Sequence, residues 1–567
     1  MPDNSKVENT NFIDNRDNSP MYKNEASDEI TDSLKNFSSF DFYPTLYFFG
    51  IGNGHFYKRL LKKHKQQSIM IIEPELELLY ITLNLVDFSQ EILEKRVSIE
   101  HTNNIDKNYC IELLNNRLKF FLKVYDLHVH THYYEKYFED IKNVHNSFID
   151  AFKYHIFAIG NSATDGTIGL EHSLQNTAKM LETPTLKELL KNGANSKTAI
   201  IVSTGPSLAK QLPLLKKIQN YVTILCIDAS FPILSKEGIK PDIVFSIERV
   251  KESSEFYKKT PKKYHKDVIF ALASVVHEHT VDNIHGEIAF FLRNDSYNTY
   301  FGLHDWSELT GGMSAANFTY DFAQKSNFEQ IVIIGQDLAY GKDGSSHSKN
   351  HVFGENEVDE KKIFCHVDSY GGEGTVATTK VWKAFLDTYE LQVKFSPTKT
   401  INATEGGARI KGTIEKSFQS ISEQILEKKE IKNKIILKPL PSNKVEEIKE
   451  HYHSKLNEAI KMGKSIQSKS QKAYKEAALF LEKVENYSDK QIKKISFNIL
   501  SKYVNEITNI KKENNSKEFA MMYSLLLQAY VFSVEFDVGE VYVMSENNDL
   551  AKKEKENSMD KSPPAMV

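Results

Sequence analysis

Apolar residues in the first part of the chain form two short runs, separated by a glycine turn and a helical stretch. Residues 46–49 (Leu-Tyr-Phe-Phe) predict a buried strand, and the glycine turn at 50–54 follows directly. The second run, at 69–72, ends at Glu73. The order of strand, glycine turn, helix, strand and acid is typical of a Rossmann-type domain, which we expect at residues 36–190.

A denser alternation of strands and helices fills residues 191–412. Runs of β-type residues predict strands at 199–202, 222–227, 243–247, 269–273, 288–292 and 331–334. Helical stretches between strands favour a mainly parallel sheet. Because such sheets bind ligands at the carboxyl ends of their strands, we expect this block to be the catalytic domain.

After residue 412 the apolar residues recur only at the spacing of an α-helix, and no further strand pattern is found. Ile414, Phe418, Ile421 and Ile425 recur at the spacing of one helix face, and residues 519–532 are strongly apolar. These patterns predict an all-α bundle at 413–545. The predicted fold class is therefore α/β, with tandem Rossmann-like domains followed by a helical C-terminal domain.

The two ends of the chain differ from these blocks in composition. Residues 1–35 are rich in Asn, Asp, Ser and Glu, whereas residues 546–567 are charged and contain a Ser-Pro-Pro segment. Segments of this composition contain too little apolar surface to fold on their own. We expect a disordered or loosely attached N-terminal segment and a flexible C-terminal tail.

Charge, hydropathy and cysteine content exclude several classes of protein. The 567 residues include 72 Lys and Arg against 76 Asp and Glu, a net charge of −4, so the chain lacks the basic field of a dedicated nucleic-acid binder. It contains no apolar run of membrane-spanning length and no secretory signal. Three scattered cysteines fit neither a disulfide framework nor a zinc-binding spacing. We expect a cytoplasmic protein without nucleic-acid or membrane partners.

The strongest local signal for chemistry is a polar turn between the first strand and the first helix of the second block. It consists of Ser203, Thr204, Gly205, Pro206 and Ser207. Glycine permits close approach of a ligand, proline suits the first helical turn, and a helix N-terminus offers free N–H groups to a phosphate. The alternative is an ordinary β–α turn with a serine cap. The turn is not a Walker loop, because no Gly-Lys-Ser/Thr follows.

Three carboxylates and one amide also follow predicted strands. Asp228, Glu248 and Asp337 each come directly after a different strand, and Gln336 precedes Asp337. A single carboxylate in this position is often only a helix cap. Three of them at one sheet edge, beside the polar turn, favour a binding site.

Two glycine turns and one histidine are further candidates. Gly311 and Gly312 precede a predicted helix, and His347 lies in a Gly/Ser-rich segment where it is either structural or a general acid or base. The glycine turn at 50–54 lacks the full G-x-G-x-x-G spacing, although Glu73 lies where a ribose-binding acid is expected. That turn is either a nucleotide site or a purely structural feature.

The chain contains no Asp-x-Asp pair. This counts against a glycosyltransferase that binds a nucleoside diphosphate sugar through a metal held by that motif. A nucleoside monophosphate sugar is still compatible, because N–H groups and hydroxyls can stabilise its single leaving phosphate without a metal.

Four segments of the central block together resemble one known family. They are 200–208 (IIVSTGPSL), 226–230 (CIDAS), 238–242 (GIKPD) and 333–340 (IIGQDLAY), and they resemble the motility-associated factor (Maf) family of bacterial flagellin glycosyltransferases. The central domain is also similar to the GT-A-like domain of CMP-sialic acid-dependent sialyltransferases, which carry a Gly-x-Gly-Pro-Ser-Leu turn. Ser203 occupies the position of the first glycine of that turn.

The resemblance implies transfer of a nonulosonic acid (pseudaminic or legionaminic acid) from its CMP-activated donor to Ser or Thr hydroxyls of flagellin, in the cytoplasm and in support of flagellar assembly and motility. The implied nucleotide-sugar-binding residues are Ser203, Thr204, Gly205, Pro206, Ser207, Asp228, Gly311, Gly312 and Gln336. The candidate catalytic residues are Glu248, Asp337 and His347. We expect no tightly bound cofactor. We assign no metal ligand, and the metal requirement stays open. The C-terminal helices are assigned to flagellin docking by elimination.

Other functions remain open at this point. The central motif also resembles archaeal enzymes that transfer diphosphate from ATP to 6-hydroxymethylpterin, although those are shorter single-domain proteins. A second alternative is a non-catalytic flagellin-binding assembly factor, and a third is a methyltransferase based on the first block. The sequence does not choose between pseudaminic and legionaminic acid.

Overall fold

The computed structural model describes residues 8–37, 40, 43–63, 68–115, 117–158, 162–293, 296–492 and 494–543. The chain divides into two compact units. The N-terminal unit consists of residues 1–163 and 527–567, and the central unit consists of residues 164–526. The predicted tail at 546–567 lies outside the described residues.

The N-terminal unit contains the first Rossmann-like block. Its strands are β1 (Ile13–Asp14), β2 (Ser19–Pro20), β3 (Thr45–Phe49), β4 (Ser68–Glu73), β5 (Val97–His101) and β6 (Leu127–Val129). Its helices are α1 (Ala26–Asn36), α2 (His55–Lys63), α3 (Leu76–Leu85), α4 (Ser89–Leu93), α5 (Lys107–Leu114) and α6 (Phe138–Ala158), with 3₁₀ turns at Thr102–Asn104, Arg117–Val124 and His132–Tyr137.

Four of these strands form a parallel sheet in the order β5-β4-β3-β6. The predicted run at 46–49 is buried along its whole length, and its strand β3 lies inside the sheet with a neighbouring strand on both sides. Chain order reverses between β3 and β6, so the glycine turn at 50–54 follows β3 at the point where a Rossmann sheet normally binds its ligand.

The N-terminal segment is ordered where the structure describes it. Met21 and Tyr22 are only 1% exposed and belong to the core of the N-terminal unit. Asn11 donates its Nδ2–H to Tyr22 O and accepts from Tyr22 N at 2.7 and 3.0 Å. The expectation of a disordered or loosely attached segment is therefore wrong for residues 8–35, because a few apolar residues anchor a polar stretch.

The central unit contains the second block and most of the C-terminal helices. Its strands are β7 (Thr198–Val202), β8 (Thr223–Ile227), β9 (Ile243–Ser246), β10 (Ile269–Ala273), β11 (Glu287–Arg293), β12 (Ser307–Leu309), β13 (Gln330–Ile334), β14 (Ile363–Asp368), β15 (Thr375–Thr379), β16 (Lys399–Asn402) and β17 (Ile414–Glu415).

Helices surround these strands and continue beyond them, and the last of the described helices passes from the residues of the central unit into those of the N-terminal unit at residue 527. They are α7 (Ala163–Glu182), α8 (Leu186–Asn192), α9 (Leu208–Ile218), α10 (Phe231–Lys236), α11 (Ser254–Lys258), α12 (Glu278–Asp282), α13 (Ser296–Phe301), α14 (Ala315–Lys325), α15 (Lys380–Phe395), α16 (Phe418–Lys428), α17 (Ser442–Val484), α18 (Asp489–Ile492), α19 (Phe497–Asn514) and α20 (Lys517–Val543). The 3₁₀ turns are Asp228–Ser230, Lys251–Ser253, Lys262–Tyr264, His304–Trp306 and Glu360–Lys362.

Among the described residues, nine strands form one parallel sheet in the order β12-β11-β10-β9-β8-β7-β13-β16-β17. The chain runs from β7 outward to β12 and returns to β13 on the other side of β7. The crevice between β7 and β13 is therefore the switch point of a doubly wound sheet, where ligands bind at the carboxyl ends of the strands. The predicted α/β class with tandem parallel sheets and a helical C-terminal region is confirmed.

Helices α16 and α17 pack against other elements of this unit. Phe418, Ile421 and Ile425 are buried on α16, which packs against α9. The 43-residue α17 contacts α13 and α19, and the rings of Phe301 and Tyr452 stack at a centroid distance of 4.4 Å. Among the described residues, no single helix is long and apolar enough to cross a membrane, although Lys517–Tyr523 and Leu526–Glu540, bent by 103°, meet the length and composition criteria as a pair.

Candidate active site

The polar turn after β7 lies against the residues that follow β13. The two strands pair Ile201 with Ile333 and Val202 with Ile334, and their exits are also joined. Ser203 N donates to Ile334 O at 3.2 Å, and Gly205 N donates to Gly335 O at 2.7 Å. The turn at 203–207 and the segment 335–337 thus form the two walls of the switch point.

Asp337 fills the space at the N-terminus of α9. Its carboxylate accepts Ser207 Oγ–H at 2.7 Å and lies 3.2–3.3 Å from Ser207 N, which also donates to it. A Cβ at Gly205 would overlap this carboxylate, and a Cβ at Gly407 would overlap the Asp337 backbone. Glycine is required at 205 and 407 because Asp337 is enclosed from both sides.

Burial of Asp337 changes its acidity. Desolvation raises the pKa of this carboxyl to about 6, although its hydrogen bonds from Ser207 and the nearby Lys210 ammonium oppose the rise. The Nζ of Lys210 donates to Glu405 O, which holds the cation beside the first turn of α9. The helix end predicted to bind phosphate thus already carries a carboxyl group that is protonated in mildly acidic solution.

The remaining residues of the turn are also held in place. Ser203 Oγ donates to Gln336 Oε1 at 2.5 Å, and Tyr389 OH donates to the same oxygen at 3.2 Å. Thr204 O accepts Ser348 N–H at 2.7 Å, which ties the turn to the loop that follows β13. The structure therefore brings Ser203, Thr204, Gly205, Pro206, Ser207, Gln336 and Asp337 into one cluster at the switch point.

Asp228 lies one strand farther along the same edge, after β8. Its Oδ2 accepts Ser246 Oγ–H at 2.6 Å, and its Oδ1 accepts Ala229 N–H at 2.8 Å. Burial raises the pKa of Asp228 to about 7, and the negative Glu248 contributes in the same direction, while the Ser246 hydroxyl opposes it. Asp228 is a buried carboxyl near the switch point whose charge changes around neutral pH.

Glu248 follows β9 in an exposed position between cationic groups. Loss of hydration against the neighbouring protein raises its pKa, and the positive charges of Arg249 and Arg293 oppose that rise. Arg249 forms an ion pair with Asp165, and Arg293 donates to Gly312 O at 2.6 Å. The part of the sheet edge formed by β9 and β11 therefore carries Glu248, the two arginines and the turn at Gly312.

The two glycines before α14 differ in their surroundings. A Cβ at Gly311 would overlap Phe318 at the start of α14, so Gly311 permits close packing of the turn on the helix. Gly312 has a positive φ of 62°, and a Cβ there would lie 3.4 Å from Thr388. Arg293, the last residue of β11, links this turn to the sheet.

The three candidate bases do not meet at one point. Asp337 follows β13 and Glu248 follows β9, and β7 and β8 lie between these strands. With about 4.8 Å between neighbouring strands, the two positions are about 14 Å apart along the edge. His347 is not at a strand end but in the loop after β13, where its Nδ1 lies 2.8 Å from Ser346 Oγ and burial lowers its pKa to about 4.

Lys210, Arg249 and Arg293 are functional candidates that the sequence analysis did not identify. Arg249 and Arg293 occupy the same edge as the three carboxylates, at the ends of β9 and β11. The rule that selected the carboxylates, a polar residue directly after a buried strand, applies to these arginines as well. Lys210 carried no such signal, because its position beside Asp337 depends on the contact between α9 and the loop at 405.

The glycine turn of the N-terminal unit is closed by its own side chains. Ile51 N donates to Glu73 Oε2 at 2.7 Å, and Gly52 N donates to Tyr134 OH at 3.0 Å. A Cβ at Gly50 would overlap the Tyr134 ring. Burial raises the pKa of Glu73 to about 7. The donors that a dinucleotide would need are occupied, which supports the structural alternative for this turn over the nucleotide site.

A small, mostly apolar cleft lies elsewhere in the N-terminal unit. Its walls include Pro44 and Thr45 at the start of β3, together with Leu118 and Phe152. This is the amino end of the sheet, opposite to the edge where parallel sheets bind ligands. The cleft is therefore separate from the candidate active site.

Two family models match separate parts of the chain. Residues 2–157 match the glycosyltransferase Maf N-terminal domain, and residues 171–343 match the 6-hydroxymethylpterin diphosphokinase MptE-like family. The second match includes the polar turn and the segment 335–337. Among curated proteins, no sequence matches the chain.

The fold is similar to that of a solved glycosyltransferase. The Maf glycosyltransferase from Magnetospirillum magneticum AMB-1 shares 13% sequence identity with this chain at a TM-score of 0.52, and the alignment covers 98% of this chain and 95% of that one. At this identity the likeness concerns the fold. The match of the N-terminal domain and the common fold confirm the predicted resemblance to the Maf family.

Proposed function

We propose that this protein transfers a nonulosonic acid from its CMP-activated donor to Ser or Thr hydroxyls of flagellin in the cytoplasm. The observation that carries the proposal is the polar turn with Asp337 at the switch point of the nine-stranded sheet, where doubly wound folds bind nucleotides. The sugar class and the acceptor come from the family resemblance, and pseudaminic and legionaminic acid are equally compatible with it.

The CMP part of the donor would lie along β13, β7 and β8. Its phosphate would approach the N-terminus of α9, where Ser207 and the Lys210 ammonium are available once Asp337 is neutral or displaced. Asp228 would accept hydroxyl groups of the ribose or the amino group of cytosine. Departure of CMP would be assisted by these donors, since charge develops on the leaving phosphate.

The sugar would extend towards β9 and β11. A nonulosonic acid carries its carboxylate on the anomeric carbon, and the guanidinium groups of Arg249 and Arg293 are suited to bind a carboxylate. Because the anomeric carbon is bonded to the phosphate, it would lie between the start of α9 and these arginines. Glu248 is the candidate base on the arginine side. Asp337 lies beside the phosphate, where it holds the Ser207 donors, and is better suited to a positioning role.

In the proposed reaction the acceptor hydroxyl attacks the anomeric carbon, the bond from that carbon to the CMP phosphate breaks, and the hydroxyl proton passes to Glu248. The raised pKa of Glu248 improves it as a base at neutral pH. Gly312, held by Arg293, would border the sugar on the other side.

The test is intact-mass analysis of flagellin co-expressed with this protein in hosts that make CMP-pseudaminic or CMP-legionaminic acid. We expect a ladder of added sugar masses with one of the two donors. Glu248→Gln should slow transfer by about 100-fold or more, while Glu252→Gln, at an exposed carboxylate in the next turn, should leave it unchanged. Full activity of Glu248→Gln would refute the assignment of the base. No added mass with either donor would refute the proposal, and flagellin binding without transfer would favour the assembly factor.

A second candidate is a 6-hydroxymethylpterin diphosphokinase-like activity. The observation that favours it is the family match over residues 171–343. It predicts formation of AMP and pterin diphosphate from ATP, Mg²⁺ and 6-hydroxymethylpterin, which a chromatographic assay of the purified protein detects. Absence of that product beside a working flagellin reaction would eliminate it.

A further inference from the structure

The loop between β13 and β14 brings two histidines and a glutamate together. Ligand atoms of His347, His351 and Glu357 all lie within 4.8 Å of one another. His351 Nδ1 is 3.4 Å and His347 Nε2 is 3.9 Å from Glu357 Oε2. A tetrahedral ion with bonds of about 2.1 Å holds its ligands about 3.4 Å apart, so the cluster is close to the size of a metal site.

Hydrogen bonds around His347 leave its Nε2 as an acceptor. The hydroxyl of Ser346 donates its single proton to Glu355 O at 2.9 Å, so its oxygen accepts from His347 Nδ1–H at 2.8 Å. The Nε2 lone pair then faces the Glu357 carboxylate, and two acceptors oppose each other. A cation between them would remove this conflict, and a hydrogen-bonded Nδ1–H is the usual support of a ligating histidine.

His351 supplies an independent indication. Its side chain is only 2% exposed, and its Nδ1 is buried without a hydrogen-bond partner in the described structure. A buried polar atom without a partner is costly and rare in native proteins. This nitrogen points into the same cluster, at 3.4 Å from the Glu357 carboxylate.

The backbone holds the ligands in position. The N–H groups of Ser346 and His347 both donate to Glu355 O at 2.8 and 2.9 Å, and Val358 N donates to Ser346 Oγ at 3.1 Å. The aromatic rings of Phe256 and Phe353 lie about 5.9–6.0 Å from the His351 ring. Glu357 is 41% exposed, which leaves one side of the cluster open.

We propose that His347, His351 and Glu357 bind a divalent transition-metal ion, with Zn²⁺ as the best match to two imidazoles and one carboxylate. The open side leaves a coordination position for water or substrate. Because Ser348 N donates to Thr204 O, the ion would fix this loop against the polar turn. The site does not depend on the proposed function, and it makes His347 a ligand instead of a base.

A second histidine cluster provides the internal comparison. His277, Glu278 and His279 also lie within ligand distance. There His277 Nδ1 already accepts His279 N–H at 3.1 Å. One of its donor atoms is thus engaged, and we expect this cluster to bind the ion less tightly.

The experiment is Zn²⁺ binding to the full chain after removal of metals with a chelator and gel filtration. Calorimetry and elemental analysis should find one tightly bound equivalent, and Co²⁺ in its place should give visible bands of a tetrahedral N/O site. Glu357→Gln and His351→Ala should weaken this binding by about 100-fold or more. His304→Ala, at an exposed histidine outside both clusters, and His279→Ala should leave it unchanged.

Glu357→Gln is the decisive variant, because it changes a partly exposed side chain and keeps its volume. Circular dichroism identifies any variant that fails to fold. Unchanged zinc affinity of folded Glu357→Gln would overturn the proposal. Loss of the ion in His279→Ala, or absence of tight binding to the unmodified chain, would overturn it as well.

Discussion

Replacing Asp337 with asparagine tests whether the carboxyl at the switch point is a buried, titrating group. Its pKa rises from 3.8 to about 6 because desolvation outweighs the hydrogen bonds from Ser207. Each pKa unit corresponds to ~1.4 kcal/mol, so ionising this carboxyl costs about 3 kcal/mol more in the folded protein than in the unfolded chain. The group favours folding fully below pH 4, and this contribution is lost as the pH rises through 6.

The measurable quantity is the difference in unfolding free energy between the unmodified protein and Asp337→Asn as a function of pH. We expect the unmodified protein to lose about 2–3 kcal/mol relative to the variant between pH 4 and pH 6.5, followed in urea titrations that report on the central unit. Asp343→Asn is the matched control. The pKa of Asp343 is lowered by its hydrogen bonds with Ser345, so its pH dependence has the opposite sign. If the difference in unfolding free energy between the unmodified protein and Asp337→Asn does not change with pH, the reasoning is refuted.

The same titration has a consequence for ligand binding. Ionised Asp337 occupies the donors at the start of α9 and repels a phosphate, whereas the protonated form does not. CMP should therefore bind the unmodified protein more tightly at pH 5.5 than at pH 7.5. Asp337→Asn should lose most of this dependence, and comparison with the variant cancels the titration of the phosphate itself. An equal pH dependence in both proteins would place the phosphate elsewhere.

Three further changes test other parts of the description. Gly205→Ala places a methyl group 2.7 Å from Gly335 O and against the Asp337 carboxylate, so we expect about 1–3 kcal/mol of destabilisation and weaker CMP binding; an unchanged urea midpoint would contradict it. Arg293→Gln should raise the Kd of the CMP-sugar about tenfold or more, because a charged hydrogen bond to the sugar is lost. The Kd of CMP alone should not change. Equal effects on both ligands would mean that Arg293 has a structural role. The stability of the N-terminal unit should fall between pH 5 and 8, because the pKa of Glu73 is raised to about 7 and its contribution is lost as the pH rises. Glu73→Gln should abolish this fall. A fall that persists in the variant would mean that other groups cause it.

Six parallel strands of the central sheet could be predicted because each is a buried apolar run. The six strands expected in the central block correspond to β7, β8, β9, β10, β11 and β13 within one residue at each end. The short strands β12, β16 and β17 and the hairpin β14–β15 were missed, since polar residues interrupt them.

Positions at the sheet edge could be predicted, but their grouping could not. The sequence identified Asp228, Glu248 and Asp337 as strand-end carboxylates, and all three lie on one edge. Their order along that edge follows from the return of the chain to β13 beside β7, which depends on long-range pairing. The enclosure of Asp337 by Gly205 and Gly407 and the pairing of His351 with Glu357 arise only from the tertiary fold.

The two glycine turns of this chain explain why a Rossmann-like sequence pattern alone does not identify a binding site. In the N-terminal unit, the N–H groups of Ile51 and Gly52 are taken by Glu73 and Tyr134, and the Tyr134 ring fills the space beside Gly50. Opening this turn would require moving a core aromatic ring. In the central unit, one carboxyl with a pKa of about 6 covers the helix end, and neutralising it costs little near physiological pH. Glu73 also titrates near neutral pH, but its neutralisation leaves the Tyr134 ring in place beside Gly50. A core ring in the turn therefore favours a structural role, whereas a turn covered only by a titrating side chain can exchange that side chain for a ligand.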